Sequence, residues 1–414
     1  MSFQQGLSGL NAAAKNLDVI GNNVANSSTV GFKQAKAEFA DVFANSLTGS
    51  GGAQVGIGVK VTQVAQQFTQ GNITSTNNPL DIAVNGAGFF RMDNGGEITY
   101  QRNGQFQLDR LGFIVNPSGA RLSGYTANSS GVLSTGASAP LSINTADLVP
   151  QITSEINAVL NLDSGSAPVD AAMVPFNMND PTSFHSSTAV SIFDSLGNSQ
   201  TLQTFYVKRP SGDWDVYAAN DGALIGPVPP AVAVPVGTLS FNTSGALTSG
   251  MPLPAINVPA TATGAATPFP VTLNYTGTTQ FGSVFSVNAL DQDGYTSGRL
   301  AGFSVGADGM LLGRYTNGQA AVLGQVVLAN FANPNGLQQL GNNMWAETAT
   351  SGVPLVGTPN SGGLGVLQSS AVEDSNVDLT AELVNLITAQ RVYQANAQTI
   401  KAQDAVLQTL VNLR

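Results

Sequence analysis

The sequence of 414 residues carries 15 Lys and Arg against 25 Asp and Glu, and its formal net charge of −10 argues against a basic nucleic-acid-binding face. The absence of cysteine excludes disulfides and thiolate chemistry, and a single histidine, His185, excludes any site built from two imidazoles. The length predicts two to four domains of roughly 150 residues each, and 46 Gly with 20 Pro favour many turns and short strands.

The N-terminus lacks a basic segment followed by an apolar run, so we expect no cleaved secretory signal. No stretch is long and apolar enough to predict insertion into a membrane. We therefore expect a soluble chain, or one exported by a route that reads no cleaved signal.

Apolar side chains in residues 3–24 recur at alternating steps of four and three, as in the a/d seam of a heptad repeat. This spacing predicts an amphipathic helix with a seam formed by Phe3, Leu7, Leu10, Ala14, Leu17, Gly21 and Val24. The opposite face is nearly uncharged and consists of Asn and Gln side chains, including Asn11 and Asn22. A weaker helical spacing follows over 32–47.

The body between the two ends has the pattern of β structure. Strand-like runs at 89–92, 97–102, 105–115 and 120–125 are separated by Asn94-Gly95, Asn103-Gly104 and Ser118-Gly119, which predict hairpin turns. Asp308-Gly309 and Asn317-Gly318 repeat this pattern, and 188–220 carries further strands. Gly-rich segments at 45–58 and 351–365 predict joints between the body and the helical ends, and 222–270 suggests a loosely structured region.

A second heptad pattern predicts a C-terminal helix over about 376–412. Ser375 and Asp378 have the spacing of a capping box before it, and we attribute Glu373-Asp374 to the same helix start. The predicted seam consists of Leu379, Leu383, Leu386, Gln390, Tyr393, Ala397, Ile400, Asp404, Leu407 and Val411. Neither terminal helix is expected to be stable alone, so each requires pairing or assembly.

Motifs for catalysis or cofactor binding are missing from the sequence. It contains no Walker A loop, no G-x-G-x-x-G and no G-x-S-x-G. His185 with Asp180 or Asp194 could be imagined as part of a triad, but an exposed histidine in a Ser-rich loop is the better interpretation. The run at 291–294 departs from the calcium-loop spacing at Tyr295, so a turn is the better interpretation. We therefore predict no catalytic residue, no metal site, no cofactor and no enzyme activity.

Several motifs in the chain resemble those of the bacterial flagellar rod and hook axial family. The N-terminal motif residues are Asn22, Asn23, Asn26, Gly31, Phe32 and Lys33, and the C-terminal ones are Asn376, Val377, Asp378, Gln390, Arg391 and Tyr393. Segments 78–90 and 102–125 continue the similarity, and 324–331 resembles the hook subset. Rod members of the family lack a large middle insertion, whereas this chain has one near 146–284.

The resemblance implies a mainly β fold with α-helical termini, in which two β-rich domains in series accompany a coiled-coil-like pair of N- and C-terminal helices. The implied divisions are a helical polymerisation domain (1–30 and 371–414), a Gly-rich linker region (31–71 and 351–370), an inner β domain (72–145 and 285–350) and an outer variable β domain (146–284). The implied polymerisation residues are the larger side chains of the two seams: Phe3, Leu7, Leu10, Leu17, Val24, Leu379, Leu383, Leu386, Tyr393, Ile400, Leu407 and Val411.

The resemblance also implies a structural role outside the cell. Many copies would polymerise into the curved, flexible flagellar hook, which encloses an export channel and transmits torque from rod to filament as a universal joint. The implied partners are other copies of the chain, the rod, the hook cap, the hook–filament junction proteins, the hook-length control protein and the type III export apparatus. Neither nucleic acid nor membrane insertion is expected.

Two alternatives remain open from the sequence. One is another axial member, a distal rod or hook-associated protein, and the middle insertion argues for the hook. The other is a secreted β-rich adhesin or carbohydrate enzyme with helical ends, which predicts a ligand and no ordered tube.

Overall fold

The computed structural model describes residues 2–42, 56–128, 131–225, 233–260 and 264–412. The chain divides into two compact units. Unit 1 contains Met1–Thr145, Gly302–Arg314 and Ala320–Arg414, and unit 2 contains Ala146–Ala301 and Tyr315–Gln319. Within the described ranges, neither helix combines the length and the hydropathy that a membrane span requires.

The first part of unit 1 begins with a helix that is followed by short strands. Its elements are α1 (Ser2–Ala25), β1 (Ala35–Val42), β2 (Gly58–Gln66), β3 (Ile73–Ser75), β4 (Ile82–Asn85), β5 (Phe89–Asn94), β6 (Glu97–Gln101), β7 (Gln107–Leu108), β8 (Ile114–Val115), β9 (Arg121–Thr126) and β10 (Ala139–Pro140).

Strands also make up the regular structure of unit 2. They are β11 (Glu155–Asp163), β12 (Ser186–Phe193), β13 (Ser199–Lys208), β14 (Trp214–Asn220), β15 (Ala223–Leu224), β16 (Gly237–Leu239), β17 (Ile256–Val258), β18 (Phe269–Asn274), β19 (Thr279–Phe281) and β20 (Ser286–Gln292).

The chain then completes the unit 1 sheets and ends in a long helix. These elements are β21 (Leu300–Val305), β22 (Met310–Tyr315), β23 (Ala320–Val326), β24 (Leu328–Asn330), a one-turn 3₁₀ helix (Pro334–Gly336), β25 (Gln338–Gly341), β26 (Met344–Ala346), β27 (Leu355–Gly357), β28 (Val366–Ser369), β29 (Ala371–Glu373) and α2 (Leu379–Asn412). The mainly β fold with a pair of terminal helices confirms the predicted fold class.

The start of α2 differs from the predicted capping box. The Asp378 side chain is the cap, because its Oδ1 accepts hydrogen bonds from the backbone N–H groups of Thr380 at 2.9 Å and Ala381 at 3.1 Å. Ser375 instead accepts a bond from the N–H of Val377 at 3.3 Å. The helix therefore begins at Leu379 rather than at residue 376.

The main sheet of unit 1 has the strand order β21-β22-β23-β9-β5-β6-β26-β25. Its hairpins confirm most of the predicted turns. Gly95, Gly119, Gly309 and Gly318 all adopt positive φ angles, between 65° and 85°, in the connections between paired strands. These angles explain why glycine follows Asn, Ser or Asp at each turn.

Asn103-Gly104 does not form the predicted hairpin turn. The backbone there passes close to β4, where the Ile82 N–H donates to the Gly104 carbonyl at 2.9 Å. A Cβ atom at Gly104 would lie 1.6 Å from the Ile82 carbonyl oxygen. Glycine is therefore required at this position by a close approach between two segments.

The weaker helical spacing over 32–47 gave a wrong prediction for its described part. Residues 35–42 form β1, which pairs antiparallel with β2 and turns Ala35 and Ala37 towards α1. Four apolar side chains at helical spacing are weak support for a helix once a neighbouring strand is available. Phe43 and Leu47 lie outside the described residues.

The prediction that the two Gly-rich segments are joints can be compared with the structure mainly for the C-terminal one. Most of 45–58 lies outside the described residues. Segment 351–365 is part of the unit 1 sheet structure, since β27 pairs with β24 and the Gly365 N–H donates to the Ala87 carbonyl at 2.7 Å. The C-terminal segment is thus packed rather than an open joint.

Unit 2 is built around β11, which pairs in parallel with β18 and β19 and antiparallel with β20. Residues 286–292 therefore belong with unit 2, whereas the sequence analysis assigned them to the inner β domain. Segment 222–270 was predicted to be loosely structured, but in its described part Leu239, Val258 and Phe269 are buried core residues.

We expect Gly104→Ala to destabilise unit 1 by about 3 kcal/mol or more, because no small shift accommodates a methyl group against backbone. Gly302→Ala is the matched control, since a Cβ there meets nothing within 4 Å. Urea denaturation of both variants measures the difference. Equal stability would show that the two segments can separate without cost.

Candidate assembly surface and its anchor

The two terminal helices pack against each other in antiparallel orientation. Gly6 of α1 lies beside Ile400 of α2, and Gly9 lies beside Asn396. A Cβ atom on Gly6 would be 3.1 Å from Ile400 Cγ1, and one on Gly9 would be 2.7 Å from Asn396 Oδ1. The two glycines therefore allow this part of the helix pair to approach closely.

The stripe of α1 that is turned inward is not the predicted seam. This inner stripe is buried or half-buried, faces α2 and β1, and consists of Gly6, Gly9, Ala13, Asn16, Ile20 and Asn23. The predicted seam lies one residue away around the helix. Its first members face solvent, with Phe3 46% and Leu7 43% exposed. We call Phe3, Leu7, Leu10, Leu17 and Val24 the outer stripe; Leu10, Leu17 and Val24 are half-buried.

The predicted seam of α2 is divided in the same way. Leu386, Ala397 and Ile400 are half-buried, and Ile400 contacts α1. The seam residues that are exposed are Leu379, Leu383, Gln390, Tyr393, Asp404 and Leu407. The side chain of Val411 lies outside the described residues. Both helices thus keep apolar side chains in water after they have paired.

A buried ion cluster, which we call the anchor cluster, holds both terminal segments. The Glu373 carboxylate accepts a bond from Lys33 Nζ at 2.7 Å and from Arg102 Nη1 at 3.2 Å. The side chains of all three residues are at most 3% exposed. The backbone N–H of Gly71 adds a third bond to the carboxylate at 2.9 Å.

The two cations of the anchor cluster share one carboxylate. Burial lowers the pKa of the Lys33 ammonium, although the negative charge of Glu373 acts in the opposite direction. The pKa of Arg102 is lowered for the same reason. The carbonyl oxygens of Thr69 and Gly86 each accept a bond at 2.7 Å, from Lys33 Nζ and Arg102 Nη2 respectively. These carbonyls compensate part of the desolvation of the second cation.

Residues of the two predicted family motifs meet around the anchor cluster. Asn376 accepts a bond from the backbone N–H of Gln34 at 2.7 Å and donates one to the Gln67 carbonyl at 2.7 Å. The Gly31 N–H donates to the Glu373 carbonyl at 2.8 Å. Gly31 has φ 72°, and a Cβ there would lie 2.6 Å from the backbone nitrogen of Asn103. Glycine is therefore required where the N-terminal segment crosses the β sheet.

Other N-terminal motif residues order the end of α1. Asn23 is buried and forms two hydrogen bonds with the backbone of Ala35, one through Nδ2 at 2.8 Å and one through Oδ1 at 2.9 Å. Asn26 donates to the Asn22 carbonyl at 2.9 Å, which satisfies a free acceptor at the helix end. Phe32 is buried beside this turn. In the C-terminal motif, Val377 is half-buried, Asp378 caps α2, and Gln390, Arg391 and Tyr393 are exposed.

The residues considered for chemistry are not arranged as a reactive site. His185 Nε2 lies 2.6 Å from the Ala167 carbonyl, and its Nδ1 accepts the Lys208 N–H at 3.1 Å. Asp194 instead accepts bonds from the backbone of Leu196 and Asn198. No group of three or more His, Asp or Glu residues that could hold a metal ion was found in the described part of the chain.

The residue at the centre of this arrangement, Glu373, was not predicted as a functional residue from the sequence. Its position next to Asp374 predicted a helix start, but Glu373 ends β29, six residues before α2. Periodicity carries no signal for such a residue, because its partners are 340 and 271 positions away. The available signal was that an acidic residue stands in a buried strand.

We expect Glu373→Gln to reduce the free energy of unfolding of unit 1 by about 3–5 kcal/mol, because two cations would remain buried without an anion. Lys15→Met is the control, since its partner Asp18 is 4.0 Å away and both side chains are exposed, so its effect stays within about 0.5 kcal/mol. Hydrogen exchange in residues 31–35 and 371–376 measures the loss. Unchanged protection there would contradict the anchoring role.

Four family profiles match along the chain. They are described as "Flagella basal body rod protein" at residues 3–33, "Flagellar hook protein FlgE/F/G D1 domain" at 83–158, "Flagellar basal body protein FlaE D2 domain" at 161–295 and "Flagellar basal body rod FlgEFG protein C-terminal" at 368–413. The D2 match covers most of the middle insertion.

Full-length relatives give a consistent result. The chain is 43% identical to the flagellar hook protein FlgE of Salmonella typhimurium over 418 residues, which cover 100% of both chains. It is 41% identical to FlgE of Escherichia coli over 416 residues, also with 100% of both covered. It is 31% identical to FlgE of Borreliella burgdorferi over 470 residues, with 100% of this chain and 99% of that relative covered.

The fold is also found among solved structures. The crystal structure of the Helicobacter pylori flagellar hook protein FlgE2 aligns with a TM-score of 0.52 at 13% identity. The alignment covers 72% of this chain and 100% of that one. At this identity the likeness concerns the fold alone.

Proposed function

The chain belongs to the flagellar hook protein family, and we propose that its copies polymerise through the exposed stripes of their terminal helices. As a member of that family it is a structural subunit of the bacterial flagellar hook, outside the cell.

The observation that supports this proposal is the outer stripe of α1. Phe3 and Leu7 remain exposed and Leu10, Leu17 and Val24 remain half-buried, while glycine and alanine occupy much of the contact with α2. Leaving large side chains in water forgoes roughly 1.5–3 kcal/mol for each one that could be fully buried. Exposed apolar side chains that lie together on one helix face are typical of a protein–protein interface. Other copies of the chain are the partners that a hook subunit meets along its whole length.

We propose the four-part domain division as a functional one, with residues 285–301 moved to the outer domain because β20 pairs with β11. The outer domain includes a run from Gly222 to Leu290 without a charged residue. Surfaces without strong ion pairs can slide with little electrostatic cost, which supports a tube that bends as a universal joint. The proposed role is structural rather than enzymatic.

Specific partners are inferred from this role. A hook subunit has to join the rod below it and the junction proteins above it, and to meet the cap and the length-control protein during growth. We propose that the chain is delivered by the flagellar type III export apparatus, through a channel that the terminal helices of earlier copies enclose.

We expect the double substitution Leu7→Ser with Leu10→Ser to abolish hook formation while unit 1 stays folded, because both side chains lie on the outer stripe. Electron microscopy of cells that produce only this variant, with immunoblots of the medium, measures assembly and export. Leu111→Ser is the control, since Leu111 is 65% exposed and lies outside the helices. Hooks of normal number and length in the double variant would refute the proposal.

The Asn- and Gln-rich face of α1 is proposed to line the export channel. Asn11 and Asn22 are exposed on α1, so Asn11→Lys with Asn22→Lys adds two charges to a face that we propose to line the passage. Export of filament subunits through the completed hook should slow, because unfolded chains would meet a charged wall. Asn94→Lys with Ser118→Lys adds the same charge at exposed turns of the β sheet. Equal export in the two variants would contradict a channel-lining position.

A further inference from the structure

A cleft of about 640 Å³ lies between α1, β1 and α2, all within unit 1. Its apolar lining includes Ala13, Ile20, Phe39, Ala389 and Val392. These side chains come from all three elements, so the cleft is part of the terminal-helix arrangement rather than of the β sheet.

Glu382 provides a carboxylate in this cleft. The residue is only 3% exposed. Its Oε1 accepts a hydrogen bond from Gln34 Nε2, but its Oε2 is buried and finds no donor among the described residues. Lys36 lies in the lining and forms no ion pair with Glu382 within the described ranges. A buried acceptor without a donor is destabilising because its lost hydration is not replaced, so the cleft lacks one N–H group.

The opposite face of α2 carries complementary groups. Val384 is 59% exposed and Ile387 is 51% exposed, and Arg391 is exposed one turn further on. Their spacing places them together on the side of the helix opposite Ala389, which is buried. We call these three residues the outer patch. It combines an apolar pair with a cation, whereas the cleft combines a lining that is about half apolar with the Glu382 carboxylate, Lys36 and several amide side chains.

We propose that the outer patch of one copy docks into the cleft of a second copy, with the Arg391 guanidinium donating to Glu382 Oε2. This interface rests on the proposed polymerisation through the terminal helices and assigns them one specific contact. Val384 and Ile387 fill the apolar part of the cleft, and the guanidinium supplies the missing donor.

Arg391 fits this role better than the other exposed cations of the two helices. Lys15 lies near Asp18, and Lys401 is three positions from Asp404, where the two side chains share a helix face. A guanidinium is also more weakly hydrated than an ammonium and is planar, so it is desolvated in a partly apolar cleft at lower cost.

The geometry of this contact leads to an open polymer. The cleft and the outer patch lie on opposite faces of α2, so a copy whose patch is docked still offers its own cleft. Such head-to-tail contacts continue from copy to copy instead of closing a dimer on a twofold axis. A helical tube requires a contact of this type.

Cross-linking tests the contact directly, because the chain contains no cysteine. Hooks are isolated from cells that produce two chains, one with Ile387→Cys and one with Asn385→Cys, which is a cleft position. Mild oxidation should give a disulfide-linked dimer of the two chains. Gln398→Cys in place of Ile387→Cys is the control, because Gln398 lies on the same outer face eleven positions further along α2. No dimer, an equal yield with the control, or a dimer from Ile387→Cys alone would overturn the proposal.

Two matched charge pairs test the ion pair. Hooks with Arg391→Gln should dissociate on heating at a lower temperature than hooks with Lys401→Gln, which lose the same charge. Glu382→Gln should likewise weaken hooks more than Asp404→Asn, and circular dichroism of the monomers controls for folding. The ion pair would also be supported if the Arg391→Gln and Glu382→Gln chains, but not their two controls, are secreted as monomers and form no hooks. Equal hook stability within each pair would refute the ion pair.

The experiments distinguish a wrong specific contact from a wrong general proposal, namely that polymerisation uses the terminal helices. If polymerisation does not use the terminal helices, the Leu7→Ser with Leu10→Ser chain forms normal hooks. If only the specific contact is wrong, that chain forms no hooks while the Arg391→Gln chain forms hooks as stable as those with Lys401→Gln.

Discussion

The arrangement of the terminal segments depends on one buried carboxylate. Glu373 bonds Lys33 from the segment after α1 and Arg102 from the β sheet, and it lies in the strand that leads to α2. Removing the carboxylate would leave two cations in a site that excludes water, so the packing of all three segments depends on it. The conformations of Gly31 and Asn376 follow from this constraint, because both make backbone contacts where these segments meet.

Once the segments are fixed, the choice of side chains decides which surface each helix presents. Gly6 and Gly9 allow α1 to approach α2 closely, so this part of the pair forms without using Phe3 or Leu7. Phe3 and Leu7 are therefore left at the surface. A chain that had to be stable alone would turn its largest apolar side chains inward. The arrangement instead suits a subunit whose helices have further neighbours in an assembly.

Much of this fold could be predicted from the sequence, because it depends on local signals. Heptad spacing located both terminal helices, and glycines at positive φ marked the hairpins. Other features depend on distant residues and escaped prediction. Residues 6, 9, 13, 16, 20 and 23 of α1 also follow steps of three and four, so spacing alone could not decide whether this stripe or the outer stripe faces α2. Gly104 belongs to a close approach with Ile82, and the role of Glu373 depends on partners far along the chain.

The role of Glu382 also could not be predicted from the sequence, because it depends on residues that only the fold brings together. In the sequence it is one acidic residue in the first turn of a helix, where the helix dipole is sufficient explanation. In the structure it is buried in a cleft, and only one of its two oxygens has a partner. In the proposed contact, the Arg391 guanidinium of one copy satisfies this acceptor in the next copy, so the polymer has a lower free energy than the monomer. This difference favours addition of the next copy, and because each added copy presents the same unsatisfied group, the tendency to grow persists along the tube.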